Sequence, residues 1–281
     1  MIVTIASGKG GTGKTTLATG LAALLGGGVT FADADVEAPN GHLFLHPEVS
    51  ETRPLRVPVV RVDEQVCTYC GICRDRCRFN AIAVLPKSVI VFDELCKGCG
   101  GCLLACPEHA IYEEKRPVGE LLFGHAGDVR FVGGRLNVGE AMSPPLIDAV
   151  RAATAADETV IVDAPPGTSC SVVAATRDSD FCILVTEPTP FGLHDLKLAV
   201  TLVRRLRLPF GVVINRVGIG DERVHDYCRK EGIDLLGEIN DDRRIAVAYA
   251  RGEVPSVAIP EVGETVRGIW EAVMEKVGGE R

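Results

Sequence analysis

Aromatic residues are scarce in this chain. They make up 5% of 281 residues, with one tryptophan, four tyrosines and nine phenylalanines. Positive charge is short as well: 30 Lys and Arg face 38 Asp and Glu, a net charge of −8 with a pI near 5.4. That balance excludes a general nucleic-acid binder and a protein held on anionic membranes by charge. No apolar run approaches the about 18 residues that a membrane-spanning helix needs. Met1 leads straight into an apolar segment with no basic leader, so the expected location is the cytoplasm, without membrane association. What the chain does have is aliphatic bulk. It is 46% hydrophobic with a mean hydropathy of +0.19, rich in Val, Ala, Leu and Gly, which suits an α/β sheet covered on both faces. It also has eleven cysteines. Disulfides rarely persist in the cytoplasm, so metal binding is the leading explanation for them.

The organising stretch is Ser7 to Thr16, SGKGGTGKTT. Ile2 to Ala6 reads as a buried strand, and Thr15 to Leu25 as a helix with Leu17, Leu21, Leu24 and Leu25 on one face. Between them Gly8, Gly13, Lys14 and Thr15 fit G-x-x-x-x-G-K-[ST]. In that pattern backbone N–H groups wrap phosphate oxygens at a helix N-terminus, the lysine reaches the β- and γ-phosphates, and the hydroxyl ligates Mg²⁺. The phosphate cradle is therefore Gly8, Lys9, Gly10, Gly11, Thr12, Gly13, Lys14, Thr15 and Thr16. A second strand, Val29 to Ala32, runs into Asp33 and Asp35, and a third, Thr159 to Asp163, runs into DAPPGT. Asp35 and Glu37 have a plainer alternative as solvated acids at a strand end.

Eight cysteines crowd between Cys67 and Cys106. Cys67, Cys70, Cys73 and Cys77 have the spacing C-x₂-C-x₂-C-x₃-C, and Cys96, Cys99, Cys102 and Cys106 repeat it. A slide of 29 residues superposes all of them, together with Gly71 on Gly100, Ala81 on Ala110 and Ile82 on Ile111. Such a repeat predicts a pseudo-twofold axis. Thiolates at this spacing wrap three corners of a 4Fe–4S cube, while the fourth cysteine points to the other cluster. One set is then Cys67, Cys70, Cys73 and Cys106; the other is Cys96, Cys99, Cys102 and Cys77. Zinc is the competing metal, since paired C-x₂-C also builds zinc ribbons. From Val62 to about Lys115 the segment resembles the bacterial two-cluster ferredoxin, departing from it at Arg78, where a proline is usual.

Lys9 sharpens the picture. The loop from Lys9 to Thr15, KGGTGKT, resembles the deviant Walker A motif of the MinD/ParA/Mrp superfamily, which includes the nitrogenase iron protein. The resemblance implies ATP or ADP with Mg²⁺, bound by two subunits that enclose two nucleotides. Lys9 then contacts phosphate across the dimer, a cation supplied in trans only when the dimer closes. In DADVEAPN it implies that Asp35 positions or deprotonates the attacking water, Asn40 senses the γ-phosphate and Asp33 acts near the Mg²⁺ shell. Asp163 holds Mg²⁺ through water beside Thr15, and Gly167 offers its N–H to the γ-phosphate. Asn215 pairs with the adenine edge, with Arg216 beside it in the nucleotide set. Lys9, Lys14 and Asp35 are the implied catalytic residues.

The expected fold is α/β: a doubly wound, mostly parallel P-loop ATPase sheet of residues 1–61 and 116–281, interrupted by an α+β ferredoxin domain at 62–115. Pro39 to Pro58 reads as an irregular connector, and Gly119 to Gly139 resists assignment. Cys170 lies where the nitrogenase iron protein keeps a bridging-cluster ligand, but no second cysteine completes such a site, so Cys170, Cys182 and Cys228 are expected to be small buried thiols. The closing helix, Val262 to Val277, has mixed charge opposite its apolar face, unlike a basic membrane anchor. Three functions are consistent with this. The first is an ATP-gated dimer, of two copies or of this chain with a paralogue, that couples nucleotide state to electron transfer with a redox partner. The second is an iron–sulfur assembly or carrier ATPase serving an apo-protein client. The third is a redox-sensing positioning ATPase.

Overall fold

The structure is a computed structural model and describes residues 1–279. The chain opens with β1 (Ile2–Ala6), turns through the glycine-rich loop into α1 (Lys14–Leu25) and returns as β2 (Val29–Asp33). A single turn, α2 (His42–Leu45), precedes the 15-residue β3 (Glu48–Val62). The cysteine-rich unit follows, with α3 (Ile72–Arg76), the hairpin β4 (Ile82–Leu85) and β5 (Ser88–Val91), and α4 (Gly101–Ala105). The chain comes back through β6 (Ile111–Ala126) and β7 (Val129–Leu136). It then winds α5 (Pro144–Thr154), β8 (Thr159–Asp163), α6 (Cys170–Thr176), β9 (Phe181–Thr186), α7 (Pro190–Arg205), β10 (Phe210–Val217), α8 (Arg223–Glu231) and β11 (Leu235–Asn240). The helices α9 (Arg243–Ala250), α10 (Pro255–Ala258) and α11 (Pro260–Gly279) close it.

One sheet orders nine strands as β11-β10-β9-β1-β8-β2-β7-β6-β3. The seven strands from β11 to β7 run parallel, and β6 and β3 are added antiparallel. Strand alternation sends side chains to two cores. Val3, Ile5, Phe31 and Ile161 meet Leu17 and Leu21 of α1 and Val266, Ile269 and Val273 of α11. Ala6, Val132, Val160 and Val162 meet Leu146 and Val150 of α5, Leu196 and Val200 of α7 and Val224 of α8. A strand covered on both sides has no polar face, which is why the central strands read as continuous apolar runs.

Two stretches differ from expectation. Residues 48–62 are a long edge strand, not a connector. Most of β3 is exposed, so its apolar alternation is weak, and an edge tolerates Pro54 and Pro58 because one side needs no N–H donor. Residues 119–136, left unassigned by sequence, belong to the β6–β7 hairpin, whose Gly133 and Gly134 dilute the strand signal.

The β3–β6 ladder pairs Glu48 with His125 at one end and Val62 with Ile111 at the other. Only Gly119 to Ala126 of β6 also pairs with β7. Beyond it, Arg56 to Val62 and Ile111 to Pro117 form a two-stranded ribbon that carries the cysteine-rich unit. The strands therefore run unbroken through positions 61/62 and 115/116. The Arg116–Glu140 ion pair braces the foot of this ribbon.

The repeat is present in the backbone too. Its helices α3 and α4 are offset by 29 residues, as are the left-handed residues Tyr69 and Gly98, Gly71 and Gly100, and Asn80 and His109. Asp63 N–H donates to Ala110 O (2.7 Å) and Phe92 N–H to Ala81 O (2.8 Å), an exchange between the halves that a twofold axis requires.

Candidate nucleotide site and cysteine centres

A cavity of about 380 Å³ opens where the parallel strands end. It is walled by Gly10, Gly11, Gly13, Lys14, Thr15 and Thr16 of the loop, with Asp35, Asn40, Pro166, Asn215 and Arg216 around them. Gly13 is required by geometry: its φ is +94°, and a Cβ there would lie 2.3 Å from Asn215 Nδ2. That amide donates to Thr12 O (2.8 Å), which ties the loop to the end of β10.

Asp33 and Asp163 lie side by side at the back of the loop, with Asp35 near enough to feel their charge. Asp33 and Asp163 are neighbours across the β2–β8 register and are fully buried. Thr15 Oγ1 donates to Asp163 Oδ2 (2.6 Å), and Gly41 N–H donates to Asp33 Oδ2 (3.0 Å). Asp33 Oδ1 and Asp163 Oδ1 are buried without a partner, as are Asn40 Oδ1 and Thr12 Oγ1. Burial pushes the Asp33 carboxyl well above the usual range, with the charge of Asp163 adding to it. Burial likewise raises Asp163, against the pull of Lys14 and the Thr15 hydroxyl. It pushes Asp35 up to about 6, with Lys14 opposing. Buried oxygens without donors, among carboxylates that resist ionising, are what a divalent cation satisfies, and Thr15, Asp33 and Asp163 supply hard oxygen ligands.

Gly167 N–H donates to Ser7 O (2.9 Å), so it reaches a phosphate only if the loop after β8 shifts. Lys9 does not line the cavity; its Nζ lies 3.0 Å from Glu187 Oε2. Sequence reasoning also missed Asp241, Asp242, Ile245, Ala246 and Tyr249, which form the far wall of the cavity. The one local signal was Asp242, which caps α9 by accepting from Arg244 N–H (2.7 Å). Tyr249 packs on Phe44 of α2 at 4.8 Å, joining this wall to the segment after Asp35.

In the cysteine-rich unit, Cys67, Cys70, Cys73 and Cys106 line one cavity, and Cys77, Cys96, Cys99 and Cys102 line a second. Backbone N–H groups of Tyr69, Ala81 and Ala110 donate to Cys67, Cys77 and Cys106 Sγ at 3.4, 3.3 and 3.4 Å. Among the described residues no three His, Cys, Asp or Glu side chains converge as on a single bound ion. A cube needs no such convergence, because each of its corners takes a different sulfur; four thiols around a cavity, partly hydrogen-bonded by backbone, fit that donor set.

The remaining cysteines divide. Cys182 and Cys228 are buried, and burial pushes their thiols up to about 12 and about 11, so both stay protonated and act as small apolar side chains. Cys170 is a correction: it is exposed, because it begins α6 on the outer side of the loop that follows Asp163.

A mostly parallel sheet with a phosphate loop between β1 and α1 defines a P-loop nucleotide-binding protein. The chain belongs to the CobQ/CobB/MinD/ParA nucleotide binding domain family, whose model matches residues 3–256. It is 30% identical over 259 residues to the uncharacterized protein MJ0579 of Methanocaldococcus jannaschii, covering 90% of each chain. It is 25% identical over 303 residues to an iron-sulfur cluster carrier protein of the same organism, covering 99% of this chain and 86% of that one. Among solved structures, the septum site-determining protein MinD of Pyrococcus horikoshii, complexed with Mg-ADP, superposes with a TM-score of 0.60. That pair is 20% identical, covering 100% of this chain and 98% of the other, a likeness of fold. Among the described residues no helix is long and apolar enough to cross a membrane.

Proposed function

We propose that this chain is an Mg²⁺-dependent ATPase that dimerises on ATP and couples its nucleotide state to electron transfer through two 4Fe–4S clusters. The observation that carries the coupling is how the ribbon is fastened. Leu136 N–H, at the end of β7, donates to Val36 O (2.9 Å), one residue after Asp35. Ser143, the residue before α5, donates to Glu37 Oε1 (2.7 Å) and lies 2.7 Å from Ser171 Oγ in α6. β7, paired with the β6 strand whose far end carries the cysteine-rich unit, is thus bonded to the segment after Asp35, and Ser143, just before α5, ties that same segment to α6.

In this scheme Lys14 offsets phosphate charge, and Thr15, Asp33 and Asp163 hold Mg²⁺. Asp35 lines the cavity, and its raised pKa suits a base that takes a proton from the attacking water near neutral pH. Asn40 lines the same cavity, where its side-chain amide N–H can donate to the γ-phosphate. Lys9 reaches the partner subunit's nucleotide, so hydrolysis waits for assembly. Cys67, Cys70, Cys73 and Cys106 hold one cluster, and Cys96, Cys99, Cys102 and Cys77 the other. A bound 4Fe–4S cluster supplies one-electron exchange at a potential set by hydrogen bonds and exposure.

EPR-monitored redox titration with and without ATP tests the scheme. ATP is expected to shift the cluster potentials; identical titrations would refute coupling. Lys14→Ala is expected to abolish nucleotide binding, and Lys9→Ala to retain binding but lose hydrolysis. A carrier function is favoured by one observation, the likeness to iron-sulfur cluster carrier proteins. It requires transfer of iron and sulfide to an apo-protein, which two complete four-cysteine sets oppose by retaining their clusters.

A further inference from the structure

Glu187 has no role in the scheme above, yet it is one of the few buried charges outside the magnesium group. It follows β9, and its side chain is 8% exposed. Two cations share it: Lys9 Nζ at 3.0 Å and Arg216 Nη1 at 2.8 Å. The Lys9 side chain remains 32% exposed, so its ammonium sits between buried carboxylate and solvent. Arg216 is held toward Glu187 by an unusual backbone: its φ is +58°, rare for a side chain of this size. Its N–H is fixed by Asn215 Oδ1 at 2.9 Å. A strained backbone kept at such a position points to a function for what it aims.

A carboxylate with two cationic partners behaves differently from one in a simple pair. Removing the only partner of a buried charge is costly, because an uncompensated ion is left behind. With Arg216 in place, Lys9 can leave and Glu187 stays paired. The second cation therefore makes the Lys9–Glu187 contact breakable. We infer that Glu187 is a positioning residue that holds Lys9 on its own subunit in the monomer and releases it to the partner's nucleotide when the dimer closes, which rests on the trans-lysine account above. Lys9 is thereby kept off its own subunit's phosphates, and closure must exchange one carboxylate contact per subunit for one phosphate contact.

The test measures the dissociation constant of the dimer formed with a non-hydrolysable ATP analogue, by sedimentation, in a double-mutant cycle. Glu187→Gln removes the competing charge. About fivefold tighter closure per lysine is expected, the equivalent of ~1 kcal/mol for an ion pair exposed on its lysine side, and so about 25-fold for a dimer that frees two. In a Lys9→Ala background the same change is expected to have no effect, an outcome that a merely structural role for Glu187 does not produce. ATP binding to the monomer reports that each variant is folded. Should Glu187→Gln fail there, Glu187→Asp carries the test: it keeps charge beside Arg216, withdraws it from Lys9 by one methylene, and shifts closure in the same direction. An unchanged or weaker dimer, or a shift that persists without Lys9, overturns the inference. If Lys9→Ala itself closes and hydrolyses like the parent, the trans-lysine account fails instead, whatever Glu187→Gln does.

Discussion

Ser143→Ala addresses the link between nucleotide and clusters directly. Ser143 is 3% exposed, and its hydroxyl sits between Glu37 and Ser171, 2.7 Å from each. The substitution removes no volume beyond one oxygen and lies outside both the nucleotide cavity and the cysteine sets. A hydrogen bond contributes about 1 kcal/mol net, so the two together can transmit at most ~2 kcal/mol between the segments that hold Glu37 and Ser171 and the start of α5. Coupling is reciprocal: whatever ATP does to the affinity for an electron, the electron does to the affinity for ATP. A tenfold change in equilibrium constant is about 59 mV for one electron and ~1.4 kcal/mol, so ~2 kcal/mol corresponds to roughly 80 mV. An EPR-monitored titration of the variant is therefore expected to lose up to about 80 mV of the ATP-induced shift. Iron content and ATP affinity should stay at the parent's values. Ser171, also buried, is left with one partner fewer, and a fall in stability of about 1 kcal/mol is expected alongside. If Ser143→Ala shows the parent's full shift, the hydroxyl bridge does not carry the coupling.

Cys99→Ala is expected to lower bound iron from about eight to about four atoms per chain while ATP still binds; iron analysis showing no loss would contradict the ligand assignment. Gly98→Ala places a Cβ 2.5 Å from Pro58 Cγ at a residue with φ +57°, so thermal unfolding should reveal a loss of about 2–4 kcal/mol, and an unchanged Tm would show that the unit does not press on the ribbon there. Magnesium dependence follows from the raised carboxyls. Asp35 at about 6, with Asp33 and Asp163 also raised, binds more protons folded than unfolded in the cation-free chain. Its contribution to stability is present at low pH and is lost as pH rises through the folded value. Mg²⁺ with ADP is therefore expected to raise Tm more at pH 8 than at pH 5, and an equal increment at both would argue against this cation site.

Much of the candidate site was legible because its patterns are local. A phosphate loop is a run of consecutive residues between a strand and a helix, and Lys14, Thr15 and Gly13 stand around the cavity where that pattern put them. The central strands announced themselves as apolar runs ending in Asp33 and Asp163. The cysteine spacing repeats at 29 residues, and the backbone repeats with it down to the left-handed positions, because one tight loop is dictated by one short string of residues.

What only the tertiary structure decided depends on distant segments meeting. Residues 48–62 earn strand structure from a partner some sixty positions on, and an exposed edge leaves little apolar alternation to reveal it. Glu187 and Lys9 are brought together because β9 lies beside β1 in the sheet, a neighbour relation that no local pattern encodes. The same holds for Ser143 between Glu37 and Ser171, and for Cys170, whose exposure depends on which side of α6 faces the sheet. The sequence by itself determined the phosphate loop, the strand-end acids and the thiol spacing, since each is short-range. Which of them restrain one another was decided by packing, since that is set by strand order and by the faces that burial turns inward.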